Sequence, residues 1–242
     1  MNRFFAERIE DSKAFLSEDD AYHLKNVLRA RPGEKFEICN GIDKEYIAVL
    51  SYIDKKTAQL DIIEEIDVCR EPAHKYVLCQ CVPKCRKTDD VVRHATELGM
   101  SEFYPVISER VNIKNSEDYD KTERLQKIAA EAAKQSKRTR IPSVHKTVKF
   151  DDIIRSAPAD ALKIIAWEEE KNSSLGSVLN LCGGCSEIYI MVGPEGGLSE
   201  SEVKYAVEYG WKSITLGKRI LRTETAPLAL ISAIAYHFGD FS

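Results

Sequence analysis

Residues 191–203 read MVGPEGGLSESEV, and residues 216–236 read LGKRILRTETAPLALISAIAY. In the first, the apolar run IYIMV (188–192) has the length and composition of a buried strand. Gly193-Pro194-Glu195-Gly196-Gly197 holds three of the chain's twelve glycines and turns the chain at the strand's C-terminal edge. Ser199-Glu200-Ser201-Glu202 then predicts a capping box, so a helix starts there. In open α/β sheets ligands bind outside the C-terminal strand ends, and glycine lets backbone amides approach a ligand closely. A tight strand-to-helix turn without a ligand fits the same residues. In the second stretch, SITLG (213–217) is another strand ending in glycine. KRILRTETA follows, and then an almost wholly apolar helix from about Ala226 to Phe238, with Pro227 in its first turn, where a missing N–H costs nothing. A helix this apolar is buried in the core or against another subunit. Two loops leaving neighbouring strand ends would together enclose an apolar, aromatic ligand.

Outward from these loops the grammar alternates. KYVLCQCV (75–82), EFYPVI (102–107) and KIIAW (163–167) are further runs of buried-strand type, and helical stretches lie between most of them. Alternating β and α implies an α/β domain: a mainly parallel sheet with helices on both faces. The first 71 residues differ. KFEICNG (35–41), EYIAVLSYI (45–53) and AQLDIIEEI (58–66) are short, β-branched or alternating, and broken by turn formers. SEDDAYHLKNVLRA (17–30) interrupts them as a short amphipathic helix with Ser17 as N-cap. Strands at this spacing predict a small barrel. The boundary falls at Arg70-Glu71-Pro72, giving domains 1–71 and 72–242.

Composition sets the class. The chain has 242 residues, 43% of them hydrophobic and 31% charged, enough to fill a core and coat a surface. No apolar run approaches the ~18–20 residues of a membrane span. The N-terminal MNRFFAERIEDSKAF carries acids and lacks the apolar centre of a signal peptide, so a cytoplasmic location is expected. Seven irregularly spaced cysteines then read as reduced thiols. Cys79 and Cys81 would share one face of a strand, and Cys182-Gly-Gly-Cys185 reads as a surface turn rather than a metal or redox site. Net charge is −4, but residues 1–71 carry eleven Lys/Arg against sixteen Asp/Glu, and residues 121–149 carry nine against two. The basic block falls largely on a predicted helix from Asp120 to Arg138. Leu125, Ile128, Ala129 and Ala132 form its apolar face, and Arg124, Lys127, Lys134 and Arg138 lie opposite. Such a face suits a polyanion or plain solvent.

Familiar ligand motifs are missing. No Lys-Ser/Thr follows Gly197 as a P-loop needs, and the glycine spacing is wrong for a dinucleotide fingerprint. There is no G-x-S-x-G, and the five histidines are scattered; His23 and His94 fall within helices.

LGKRILRTETA together with VGPEGGLSESE resembles the knotted SPOUT-class RNA methyltransferases, and within them the RsmE family, which methylates N3 of a uridine in 16S ribosomal RNA. The resemblance spans nearly the whole chain. NRFF and HLKNVLRARPGEKFEICNG are similar to the family's small PUA-like barrel; KTDDVVRHATELGM, SERV and KIAAEAAKQSKRTRIP are similar to the first half of its catalytic domain. Arg93 departs from the pattern, which has a lysine there, but the charge is kept. The resemblance implies a deep trefoil knot, which general topology rules would have argued against. It also implies a homodimer with active sites at the interface, and S-adenosylmethionine as methyl donor, with no metal. The implied cofactor pocket is Gly193, Glu195, Gly197, Leu216, Gly217, Ile220, Leu221, Thr225 and Ala226, with Trp167 at its edge.

Uracil N3 becomes a nucleophile when its proton leaves and charge spreads onto the flanking carbonyl oxygens. The chemistry needs a donor or cation at those oxygens and in-line placement of the methyl group. Arg222 is positioned in the motif to serve, or to lock the loop through Glu224; Glu224 either takes the proton or braces the loop. The base must leave its stack, and the surrounding RNA is held through phosphates. The residues expected to do so are Lys84, Arg86, Lys87, Arg110, Lys134, Arg138 and Arg140, with Arg3 and Arg29 from the barrel. Two other readings stand: another SPOUT methyltransferase acting on transfer RNA or a ribose hydroxyl, and a non-catalytic RNA-binding ribosome-assembly factor. Cofactor binding separates enzyme from binder, and mass analysis of ribosomal RNA from a deletion strain separates the RNA targets.

Overall fold

The computed structural model describes residues 1–83, 87–111, 121–180, 182 and 184–241. The chain divides into two compact units: Met1–Glu71 with Ala133–Ile141, and Pro72–Ala132 with Pro142–Ser242. Residues 133–141, expected within the second domain, cluster with the first.

The first unit is a six-stranded sheet from β1 (Arg3–Phe5), β2 (Arg8–Glu10), β3 (Lys13–Phe15), β4 (Lys35–Cys39), β5 (Glu45–Ile53) and β6 (Ala58–Ile66), in the order β1-β4-β5-β6-β3-β2. The ends of that order are consecutive in sequence. Ala6 N–H bonds Cys39 O and Glu7 N–H bonds Phe15 O, so one short link joins both ends and the sheet curls on itself. Helix α1 (Glu18–Tyr22) starts where expected, with the Ser17 side chain accepting from Asp20 N–H, and passes into a π-helical turn at His23–Val27. The core is Phe4, Leu24, Phe36, Ile38, Leu50 and Leu60.

The second unit has a wholly parallel sheet: β7 (Lys75–Cys81), β8 (Met100–Ile107), β9 (Ser143–Val144), β10 (Val148–Lys149), β11 (Leu162–Ala166), β12 (Glu187–Val192) and β13 (Lys212–Ile214). The order is β10-β8-β7-β12-β11-β13, with β9 also on β8. The helices are α2 (Lys87–Glu97), α3 (Thr122–Gln135), α4 (Phe150–Ser156), α5 (Leu175–Leu179), α6 (Glu200–Glu208) and α7 (Ala226–Phe238). Side chains alternate across the sheet, as a period of two requires. Ile188, Ile190 and Val192 pack with α2, α3, α5 and α7 on one face. Tyr189 and Met191 pack with α4, α6 and the buried Trp211 on the other, where Cys79 and Cys81 also lie together. Helix α6 carries the expected capping box, Ser199 with Glu202. Helix α7 buries Leu230, Ile231 and Ile234 in the unit's own core, while Tyr236 stays exposed.

Two local expectations change. Helix α3 stops at Gln135, because Lys137 takes a left-handed φ of +60° and Arg138 N–H returns to Ala133 O. Arg138 is therefore off the helix and its expected basic face, and the expected start, Asp120, lies outside the described residues. Cys182 and Cys185 form a disulfide rather than staying reduced thiols, their Cα atoms 6.4 Å apart and within bridging reach. Among the described residues, Cys39, Cys69, Cys79 and Cys81 are free.

Candidate functional site

The C-terminal ends of three parallel strands open into one cavity of about 940 Å³. After β12 comes Gly193–Gly197, after β11 come Trp167 and Glu168, and after β13 comes the loop Thr215–Thr223. The two glycine loops do not leave neighbouring strand ends: β11 stands between β12 and β13. They converge across its end, which puts Trp167 and Glu168 in the wall.

A buried polar clasp joins the loops. Gln80 lies on β7 opposite Val192 and is fully buried. Its Nε2 donates to Thr223 Oγ1 at 2.9 Å and to Cys81 O at 3.1 Å. The Thr223 hydroxyl donates in turn to Gly193 O at 2.8 Å. A polar residue in the apolar run KYVLCQCV was the available signal, since a buried amide requires partners; what it would partner was not legible.

Backbone geometry shapes the wall. Gly197 has φ +69°, and a Cβ there would collide with the Glu168 carboxylate. A Cβ on Gly193 would come to 3.0 Å from Leu198 Cγ. Apolar lining comes from Ala166, Val192, Leu216, Leu221 and Ala226. The Trp167 indole Nε1 is buried and has no hydrogen-bond partner among the described residues. Of the residues expected around a cofactor, Trp167, Gly193, Glu195, Gly197, Leu216, Gly217, Ile220, Leu221 and Ala226 line the cavity. Thr225 does not: it is the exposed N-cap residue of α7. Ile220 is 86% exposed, so it is no buried wall.

Charge is organised around Lys87, the first residue of α2. Its Nζ lies 3.3 Å from Glu195 and 3.1 Å from Glu224, so it joins the two loops electrostatically. Glu224 first, then Glu195, raise the Lys87 pKa above the ordinary lysine value. Burial pushes the Glu224 carboxyl up, but its own backbone amide, Lys87 and Arg222 together hold it below the ordinary value. Arg222 lines the cavity, is 83% exposed, and touches Glu224 only at 3.9 Å, so it is not locked. Glu170 is engaged elsewhere: it accepts from the amides of Lys171, Asn172 and Ser173 and from the Ser213 hydroxyl.

Most cations expected on RNA are engaged within the protein. Arg3 is buried against Glu37, Glu45 and the carbonyl of Lys137. Arg138 is 4% exposed and pairs with Glu71 at 2.5 Å; Glu71 also accepts from the amides of Thr139 and Arg140. Lys134 pairs with Asp20 at 2.7 Å, and Arg140 Nε donates to Ile42 O at 2.6 Å. These contacts withdraw Arg3 and Arg138 from phosphate binding, because a buried paired guanidinium has no face to offer. Arg110 donates to Gly196 O at 2.6 Å, and Lys87 belongs to the cavity. Arg29 is exposed; Lys84 and Arg86 lie outside the described residues.

A family model described as an RNA methyltransferase domain matches residues 70–235, and one described as an RNA methyltransferase PUA domain matches residues 16–63. The ribosomal RNA small subunit methyltransferase E of Bacillus subtilis is 32% identical to this chain, over 98% of it and 96% of its own length. That of Mesomycoplasma hyopneumoniae is 33% identical over 96% and 98%. The crystal structure of the Neisseria gonorrhoeae ribosomal RNA small subunit methyltransferase E, bound to S-adenosyl methionine, matches with a TM-score of 0.90 at 32% identity, covering 100% of both chains.

Proposed function

The chain belongs to the RNA methyltransferase family that includes the ribosomal RNA small subunit methyltransferases E, and on that premise we propose that it methylates N3 of a uridine in 16S ribosomal RNA. It is an S-adenosylmethionine-dependent ribosomal RNA methyltransferase. Residues 1–71 are read as the PUA-like RNA-binding domain and 72–242 as the methyltransferase domain, although 133–141 cluster with the first unit. The family reading carries a C-terminal trefoil knot, a cytoplasmic location and a homodimer. No helix of the described residues is long and apolar enough to cross a membrane. Exposed Tyr236 and Phe241 at the chain's C-terminal end are apolar surface that a second copy would cover. Sedimentation at micromolar concentration should give twice 27.3 kDa; a monomer would remove the composite site.

The observation that carries the reading is the cavity where both motif loops converge over β11. Its residues fit the cofactor: apolar walls, an indole N–H unpartnered among the described residues, and glycines at Gly193 and Gly197 where an added Cβ would crowd Leu198 and the Glu168 carboxylate in the wall. Bound S-adenosylmethionine supplies an activated methyl group. The protein's part is to orient the uracil and to favour its N3 anion, with the N3 proton passing to solvent water. Arg222, exposed at the cavity and only loosely paired, is the cation for the flanking carbonyl oxygens. Glu224 is a brace rather than a base: its lowered pKa makes it a poor proton acceptor, and Lys87 already occupies it.

Arg222→Ala tests this. RNA and cofactor binding should stay nearly intact, and the single-turnover rate should fall about a hundredfold or more, the scale of one lost anion-stabilising donor. The rate–pH profile should move to higher pH, because the unassisted uracil ionises less readily. A normal rate, or a defect that vanishes at saturating RNA and cofactor, returns Arg222 to a structural role.

A further inference from the structure

The cavity rim carries a cluster that methyl transfer itself leaves unused. Lys218 and Arg219 are exposed, line the cavity, and have no carboxylate partner among the described residues; the same holds for Lys171, from the loop after β11. Next to Arg219 stands Ile220, the most exposed of the large apolar side chains among the described residues. The contrast with the rest of the protein is informative. Arg3, Lys134 and Arg138 are paired with carboxylates of their own unit, whereas the rim cations are left for something external. An aliphatic side chain held in water among cations matches a partner that is both polyanionic and flat-faced. Single-stranded RNA has that chemistry: phosphates for the cations and unstacked bases for an apolar wedge.

We propose that this rim holds the RNA strand around the target uridine, with Lys171, Lys218 and Arg219 on its phosphates and Ile220 inserted where the extruded base has left the stack. The proposal rests on the methyltransferase reading and deepens it. The base must be out of its stack to reach the cavity, and the gap it leaves closes again unless something fills it. Apolar side chains inserted between base steps do this in nucleic-acid complexes that keep a kinked geometry. Ile220 lies two residues before Arg222, so one loop would carry both the wedge and the cation for the uracil oxygens.

The test uses the full-length protein and small-subunit ribosomal RNA lacking the methyl group. Lys218→Ala combined with Arg219→Ala should weaken RNA binding and lower the log–log salt slope by about 0.7 for each lost contact with a single strand. Ile220→Ala should leave that slope unchanged, but cut the single-turnover rate at saturating RNA and cofactor at least tenfold. Ile220→Leu, which keeps an apolar side chain of the same size, should restore most of it. An unchanged salt slope in the double variant overturns the phosphate contacts. A normal rate in Ile220→Ala, or a defect traced by calorimetry to weaker S-adenosylmethionine binding, overturns the wedge and makes Ile220 part of the cofactor wall. If the unaltered protein fails to methylate this RNA, the methyltransferase reading fails instead, and the salt slope still decides whether the rim binds RNA.

Discussion

Replacing Thr223 by valine removes one hydroxyl and keeps the side-chain volume. That hydroxyl accepts from Gln80 Nε2 at 2.9 Å and donates to Gly193 O at 2.8 Å, with Gln80 fully buried and Thr223 only 6% exposed. A buried polar group left without its partner costs about 1–3 kcal/mol. Two groups are affected, but not equally. Gln80 Nε2 keeps Cys81 O at 3.1 Å, and already lies 3.5 Å from Gly193 O, so a small swing recovers part of the loss. For two groups the full cost would be about 2–6 kcal/mol, and the net cost should therefore fall near the lower end of that, roughly 2 kcal/mol. If the loops are latched before the cofactor arrives, that appears as a melting temperature lower by about 4–8 °C for a chain of this size. If the loops unlatch locally instead, it appears as S-adenosylmethionine binding weaker by up to about thirtyfold. Thermal unfolding without cofactor, together with calorimetric titration, measures both. Thr223→Ser keeps the hydroxyl and should match the parent in each. A valine variant with parental stability and affinity would refute the clasp. So would a serine variant as damaged as the valine one, because the methyl group's packing would then be what matters.

Gly197→Ala forces a left-handed φ on a side chain, costing about 1–2 kcal/mol, and pushes the Glu168 carboxylate aside. Because that carboxylate ends a flexible, exposed side chain, the fold should survive and cofactor affinity should drop; adding Glu168→Ala should recover part of the affinity by calorimetry, and no recovery would refute the collision. Acid stability should depend on Glu102, whose pKa is lowered to about 2 by the hydrogen bond to His145, against the opposing effect of burial and with help from Lys75. A depressed carboxyl stabilises the folded state above its unfolded pKa, and this is lost as pH falls from about 5 towards 2, on the order of 3 kcal/mol at most. Glu102→Gln should flatten that part of the stability–pH curve, and an unchanged slope would show that other carboxylates govern acid unfolding.

Much of the architecture was legible because it is local. The alternation of Ile188, Tyr189, Ile190 and Met191 between two cores, the Ser199–Glu202 capping box, and the Ser17 cap need only a few residues of context. The glycine loops were legible too, since a strand that stops at glycine marks a turn wherever it is folded. Sequence alone thus determined the α/β class, the strand-rich first unit and the cavity's two principal loops. Tertiary structure decided what those parts meet. Strand β11 separates β12 from β13, so Trp167 and Glu168 enter the wall. Gln80 reaches Thr223 across 143 residues, and Arg138 reaches Glu71 across 67. The basic block beyond Lys121 suited a polyanion or plain solvent on sequence, because a charge count cannot see partners. Folding gave Lys134 and Arg138 carboxylates and, among the described residues, left Lys218 and Arg219 without them. Periodicity and caps are properties of neighbouring residues, whereas whether a charge or a buried amide is satisfied depends on groups that only the folded chain brings within hydrogen-bonding distance.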